Sequence, residues 1–185
     1  MQKRSHTLLA SSLLKSGNGF PARRYEWAFL FGSFQPDCNP LSYLKGSLRC
    51  RPLGGHTYAN SQTYIFSHIR RLQHRSRWNL WQYYTLGKLT HYLADAFTYP
   101  HNDHYPDTLL SHHQYETDLR LCLADYLSSH TLCPRQRRGD VAAAIRDLHD
   151  QYASARADQK RDVEYILAAT GLLMAGCVPA GTASL

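Results

Sequence analysis

The sequence lacks three patterns that would indicate other classes of protein. Its five cysteines are scattered and no two are separated by two residues, so neither a disulfide framework nor a cysteine zinc site is indicated. Alternation of apolar and polar residues at a period of two is absent over any useful length, which disfavours β-structure. The apolar run 166–178 has 13 residues and is too short to cross a bilayer. We interpret that run as a core helix or a docked tail.

A convincing signal peptide is also missing. Segment 1–19 begins with basic residues and contains a short apolar run, but serines interrupt the run and no A-x-A-like cleavage site follows. We therefore interpret this segment as part of the mature protein, and we expect the protein in the bacterial cytoplasm.

Length and net charge limit the number of domains and the kinds of partner. The 185 residues predict a single domain, 1–185, that is long enough to bury a core. The formal net charge is +7 with histidines neutral. A basic balance favours anionic partners, which include phosphate esters, nucleic acid and an acidic membrane surface. A basic surface that merely keeps the protein soluble is the alternative, and composition leaves both open.

Apolar residues recur at intervals of three and four along most of the chain, which is typical of helices. The sequence therefore predicts an all-α fold. A short aromatic segment, 25–34, precedes a long irregular stretch that contains Pro36, Pro40 and Pro52. Asp140 follows a glycine and is a plausible N-cap. The predicted helices cover residues 5–15, 58–73, 79–98, 107–128, 140–157 and 158–175.

Metal-binding side chains are dense between residues 90 and 118. His91 and Asp95 are four residues apart, as are His112 and Glu116, and His101 lies between the two pairs. Residues at i and i+4 project from the same face of a helix. Each pair therefore places an imidazole nitrogen beside a carboxylate, which is a donor set that first-row metal ions accept. One such pair alone is more often an exposed helical pair, but two pairs with an intervening histidine favour a metal centre.

The second pair together with His101 suits one metal ion, because a catalytic zinc usually has three protein ligands and one open position. The first pair needs further ligands from the preceding part of the chain. Good candidates are Asp37 in GSFQPDCNP and His56 in GGHTY, and His6 on the first predicted helix is a third. His104 and His113 are interpreted as solvent-facing neighbours.

These residues resemble a known family. The spacing His-x3-Asp-x5-His, followed by His-x3-Glu, is similar to that of the zinc-dependent phospholipase C family and of the related fungal single-strand nucleases. The segment FGSFQPD also resembles the family's Gly-Ser-x-x-Pro-Asp segment. Those enzymes are all-helical and hold three zinc ions at the bottom of a cleft. The resemblance covers roughly residues 3–118 and implies a single-domain helical bundle of the phospholipase C / single-strand nuclease type.

The resemblance also implies a ligand assignment with two or three zinc ions. One zinc would be held by Asp37, His56, His91 and Asp95, a second by His101, His112 and Glu116, and a third by His6 with Asp95 as a bridge. In the secreted enzymes a free terminal amine completes the third site. Gln2 would normally discourage removal of Met1, so we expect an incomplete third site unless Met1 itself folds back toward His6.

The implied function is metal-dependent hydrolysis of a phosphodiester, most simply phospholipase C-like, by a hydroxide on zinc in a multi-zinc cleft. Asp37 would orient or deprotonate the attacking water. The substrate would be a phosphate ester such as a phospholipid. A single-strand nuclease or a small phosphate-ester hydrolase with the same metals is the alternative, and the basic charge would suit nucleic acid. A metal-binding helical protein without catalysis is a further alternative. The oligomeric state is not indicated by the sequence.

Overall fold

The computed structural model describes residues 1–17, 19–38, 58–102, 109–132, 139–154 and 158–179. Within these residues the protein consists of helices and contains no strand, so the all-α prediction is confirmed. A 3-10 turn, Tyr99–His101, lies between the fourth and fifth helices. The helices are α1 Lys3–Ser16, α2 Arg23–Cys38, α3 Tyr58–Gln73, α4 Leu80–Ala96, α5 Leu109–Ser129, α6 Val141–Ala153 and α7 Gln159–Cys177.

Helix α4 is the centre of the fold and packs against α1, α2, α3 and α7. It begins with a capping box, in which the Asn79 side chain accepts from the first turn and the Gln82 side chain accepts from the Asn79 backbone N–H. Leu86, Leu89 and Leu93 are fully buried along its length. Because α4 is covered on several sides, polar side chains on its last turns, His91 and Asp95 among them, are buried as well.

Two glycines allow α2 and α4 to lie in very close contact. A Cβ atom added at Gly87 would lie 2.1 Å from the Phe29 carbonyl oxygen, and one added at Gly32 would lie 2.2 Å from the Tyr84 carbonyl oxygen. No side chain other than hydrogen fits at either position without moving a backbone. This contact brings the C-terminal half of α2 against the part of α4 that carries His91.

The prediction of an irregular stretch that contains Pro36 is wrong for residues 35–38. Helix α2 continues through Pro36 and Asp37 to Cys38. Pro36 has no backbone N–H to donate to the Gly32 carbonyl four residues earlier, so α2 lacks one of its backbone hydrogen bonds yet continues past this residue. Asp37 is therefore presented from a helix rather than from a loop. Residues 39–57 lie outside the described part of the chain.

The remaining helices follow the predictions, with small differences at their ends. Asp140 caps α6, and its side chain accepts from the Ala143 N–H, but the helix ends at Ala153 rather than at 157. The apolar run near the C-terminus is a core helix, in which Ile166 and Leu173 are fully buried. None of the helices in the described ranges is both long and apolar enough to span a membrane.

Candidate metal centre

Five helical elements bring seven potential ligands to one region of the fold. These are His6 from α1, Asp37 from α2, His91 and Asp95 from α4, His101 from the 3-10 turn, and His112 and Glu116 from α5. The ligand atoms form two groups that could each hold a metal ion, His6–His91–Asp95 and His101–His112–Glu116, with all atoms of a group within 4.8 Å of one another.

The first group is fully buried. The Nε2 atom of His6 lies 3.3 Å from Asp95 Oδ1, and the Nε2 atom of His91 lies 3.2 Å from Asp95 Oδ2. The two imidazole rings stack with centroids 3.9 Å apart. Each oxygen of the Asp95 carboxylate thus faces a different histidine.

Asp37 borders this group from α2. Its Oδ1 atom lies 3.5 Å from His91 Nε2, and its Oδ2 atom lies 3.9 Å from His6 Nε2. Its side chain is 19% exposed, whereas those of the other three residues are at most 1% exposed. Burial raises the pKa of the Asp37 carboxyl to about 6, although the neighbouring His91 opposes this shift. Asp37 thus lies closer to solvent than the three members of the group.

The second group is half-buried and less enclosed. Glu116 Oε1 lies 3.2 Å from His112 Nε2 and 3.4 Å from His101 Nε2. Burial opposes ionisation of Glu116, but His101 and the amino group of Met1 outweigh it and hold the pKa of this carboxyl well below its usual range. Burial also lowers the pKa of His101, so its ring is neutral near pH 7, as metal ligation requires.

The amino group of Met1 lies between the two groups. It contacts Asp95 Oδ1 at 2.8 Å, Glu116 Oε1 at 2.9 Å and His101 Nε2 at 2.9 Å. Burial lowers the pKa of this amine, but Asp95 and Glu116 outweigh that effect and raise the pKa to about 10. Met1 therefore does fold back onto the cluster, and its amine shares Asp95 Oδ1 with His6.

Asp95 is the most highly connected residue of the centre. Burial alone would raise its pKa, but the Met1 ammonium and the surrounding histidines hold the pKa well below its usual value. Its carboxylate thus stays ionised although it is 1% exposed. A buried negative charge of this kind is stable only beside positive charge, and a divalent cation supplies more of it than one ammonium does.

A backbone contact orients His91. Its Nδ1 atom lies 2.9 Å from the Ser33 carbonyl oxygen, which can only accept a hydrogen bond, so Nδ1 carries the proton. In the neutral ring the lone pair of Nε2 then points toward Asp37 and Asp95. Metal-ligating histidines are commonly held by such a bond from their second nitrogen. The sequence contains no signal for this contact, because any residue supplies a carbonyl.

The chemistry of the donor set fits zinc. His6 is 1% exposed, and among the described residues neither of its ring nitrogens makes a hydrogen bond of good geometry, although Nε2 lies 3.3 Å from Asp95 Oδ1. Burial and the adjacent His91 lower the pKa of His6 to about 3, so its ring is neutral. A neutral imidazole beside a buried carboxylate leaves the nitrogen and oxygen lone pairs close together, and a cation between them would satisfy both. Nitrogen and carboxylate donors of this kind suit Zn²⁺.

The structure thus brings together all the predicted ligands that lie in its described residues. His56 lies outside them, and so does His104. His113 is exposed next to His112, as expected of a neighbour that does not ligate. Whether the seven residues hold metal stays a prediction. A buried acid in α7, Asp162, was not singled out by the sequence, because an acidic residue in the first turn of a helix is common.

Comparison with known proteins adds one finding. A family model described as zinc dependent phospholipase C matches residues 5–158, which is most of the chain. Searches of the curated proteins and of the solved structures return no match.

Proposed function

The chain belongs to the zinc-dependent phospholipase C family, and we propose that it is a metal-dependent phosphodiester hydrolase of the phospholipase C type. Family membership supports a zinc-dependent hydrolase. The observation that carries the finer proposal is the convergence of two three-ligand groups around Asp95 and Glu116. We treat residues 1–185 as one phospholipase C-like domain.

The proposed ligand sets are those that the family resemblance implies. Zinc would be held by Asp37, His91 and Asp95, with His56 as a further ligand, and a second ion by His101, His112 and Glu116. A third ion would use His6 and the other oxygen of Asp95. The division of the two Asp95 oxygens, Oδ1 toward His6 and Oδ2 toward His91, supports its role as the bridge.

When bound, zinc supplies a water of lowered pKa and neutralises the charge on phosphate oxygens. The protein supplies the geometry in which that chemistry occurs. Asp37 is the proposed catalytic residue, because it borders the first group and is more exposed than the members of that group. Its carboxylate would orient the attacking water and accept its proton. His91 would keep its position through the Ser33 carbonyl during this step.

A phospholipid is the proposed substrate class. Trp27 and Phe31 on α2 and Trp81 on α4 are exposed by 67%, 51% and 68%, although large aromatic side chains are usually covered. Arg23 and Arg24 lie exposed at the start of the same helix α2. Aromatic rings beside cationic side chains suit the boundary between lipid head groups and acyl chains. This surface favours a lipid substrate over a small soluble ester.

Turnover measured together with metal content tests the proposal. A phosphatidylcholine analogue and single-stranded DNA are offered to the purified protein, and zinc is quantified in the same sample. We expect zinc-dependent release of the phosphorylated head group, and we expect a chelator, His101→Ala or Glu116→Gln to abolish it. His113→Ala is the matched control, because this exposed histidine neighbours His112 and should leave turnover unchanged.

Each other outcome has a distinct meaning. Full activity in a metal-stripped sample would refute the metal-dependent mechanism. Turnover of DNA alone would favour the single-strand nuclease. Bound zinc with turnover of neither substrate would favour a metal-binding helical protein without catalysis.

A further inference from the structure

Asp162 is a buried acid that lies outside the region matched by the family model. It occupies the first turn of α7, four residues beyond the end of the match, and its exposure is 0%. Within the described residues, no lysine, arginine or histidine forms an ion pair with it. A buried carboxylate without a cation is costly unless it is well hydrogen-bonded. The hydrogen-bond partners of Asp162 therefore indicate its role in the fold.

Three donors from three different elements satisfy Asp162. Its Oδ2 atom accepts from the backbone N–H of Tyr99 at 2.9 Å and from the hydroxyl of Tyr115 at 2.9 Å. Its Oδ1 atom accepts from the hydroxyl of Tyr152, on α6, at 2.7 Å. The two oxygens thus bind different parts of the fold: Oδ2 accepts hydrogen bonds from elements that carry proposed metal ligands, whereas Oδ1 accepts one from α6.

The donors to Oδ2 lie next to the second ligand group. Tyr99 begins the 3-10 turn that ends at His101, and Tyr115 directly precedes Glu116 in α5. The turn and the helix are separate elements, so their relative position depends on contacts between them. One oxygen atom shared by both holds the turn and the helix at a fixed separation. That separation sets the distance between His101 Nε2 and Glu116 Oε1, which is 3.4 Å.

We propose that Asp162 is a positioning residue, which fixes His101 relative to Glu116 through its Oδ2 atom and so sets the affinity of this ligand group for zinc. The inference rests on the proposed function only in assigning zinc to His101, His112 and Glu116. It extends the metal centre to a residue of α7 that, within the described part of the chain, forms no hydrogen bond to a metal ligand. Partners that orient metal ligands in this way commonly change metal affinity by about 10- to 100-fold when removed.

Four variants separate positioning from general support of the fold. Asp162→Ala removes all three hydrogen bonds. Asp162→Asn can keep its oxygen at the Oδ2 position, while its amide donates to the Tyr152 hydroxyl. Tyr115→Phe removes one of the two bonds to Oδ2. Tyr152→Phe is the matched control, because it removes one hydroxyl from the same carboxylate but leaves both ligand-bearing elements attached.

The experiment measures zinc affinity in the full chain by competition with a chromophoric chelator. The visible absorption of the cobalt-substituted protein reports the coordination geometry, and circular dichroism reports folding. We expect Asp162→Ala to lose about 10- to 100-fold in affinity at one site and to change the cobalt spectrum. Tyr115→Phe should change both in the same direction. Asp162→Asn should be close to wild type, and Tyr152→Phe should equal it.

The proposal is overturned if Asp162→Ala binds zinc as wild type does, or if Tyr152→Phe weakens binding as much as Tyr115→Phe. Should Asp162→Ala fail to fold, the two tyrosine variants decide the question alone. A wild-type protein without zinc at this group, shown by equal zinc content in wild type and Glu116→Gln, would also overturn it. Zinc binding without turnover would refute the phosphodiesterase and leave the positioning role intact.

Discussion

Replacing Gly87 with alanine should force α2 and α4 apart beside the metal ligands. The new Cβ atom would lie 2.1 Å from the Phe29 carbonyl oxygen and 2.9 Å from the Ser33 backbone nitrogen. Ordinary van der Waals contact needs 3.4 Å or more. Both obstructing atoms belong to the backbone of α2, so no side-chain rotation relieves the clash. The two helices must therefore separate locally by roughly 1 Å to reach ordinary contact distances.

The effect on stability combines one favourable contribution with two unfavourable ones. Alanine is a better helix former than glycine by about 1 kcal/mol. Overpacking of a well-packed contact costs typically about 1–3 kcal/mol, and occasionally more. The Ser33 carbonyl would also move away from His91 Nδ1, which weakens the 2.9 Å hydrogen bond between them. We expect a net loss in the free energy of unfolding of about 1–2 kcal/mol.

The effect on turnover should exceed the effect on stability. Asp37 lies on α2, whereas His91 and Asp95 lie on α4. A displacement of about 1 Å in catalytic geometry can reduce the rate by about 100-fold. We therefore expect Gly87→Ala to fold, to bind zinc more weakly, and to hydrolyse a phosphatidylcholine analogue at about a hundredth of the wild-type rate.

Gly171 provides the matched control. It also lies inside a helix, α7, but a Cβ atom added there would meet no atom within 4 Å. Gly171→Ala should therefore raise the free energy of unfolding by about 0.5–1 kcal/mol without changing turnover. Urea denaturation of the metal-free proteins gives both values. Urea midpoints that shift in the same direction in both variants, or wild-type turnover by Gly87→Ala, would contradict a clash between α2 and α4.

Three further outcomes are expected. Burial raises the pKa of Asp162 to about 6 from an ordinary value of 3.8, against its hydrogen bonds from Tyr99, Tyr152 and Tyr115. The folded state then holds a proton that the unfolded state releases, so the stability contribution of Asp162 is fully present below pH 3.8 and is lost as the pH rises through 6. We expect the difference in free energy of unfolding, wild type minus Asp162→Asn, to fall by on the order of 3 kcal/mol over this interval. Denaturation of the metal-free proteins at each pH measures it. A difference that does not change with pH would contradict the raised pKa of Asp162. Leu89→Ala, in the buried centre of α4, should lower the free energy of unfolding by about 2–5 kcal/mol, whereas Leu121→Ala, at a position 56% exposed, should change it by less than about 0.5 kcal/mol. Free zinc at about 100 times its dissociation constant should raise the free energy of unfolding by about 2.7 kcal/mol per site, and a melting temperature that does not respond to chelator would argue against metal bound to the folded protein.

Most of the helices could be predicted from the sequence, because helix formation depends on neighbours three and four residues away. The pattern of Tyr58–Gln73 predicted α3 with its observed ends. The prediction failed at Pro36, which was expected in an irregular stretch but lies inside α2. Most of the stability of a protein helix comes from tertiary packing, which can outweigh the one hydrogen bond that proline removes.

The two i, i+4 pairs and the histidine between them could be recognised from the sequence, because local helical geometry places His91 beside Asp95 and His112 beside Glu116. Which other elements join them depends on the tertiary structure. It brings His6, in the first turn of α1, against His91, and it directs the two oxygens of Asp95 to different histidines. It also places Asp162 in hydrogen-bond contact with Tyr99, in the turn that ends at His101. These contacts join residues far apart in the chain, and they depend on helix packing such as the close approach at Gly32 and Gly87, which no local spacing encodes.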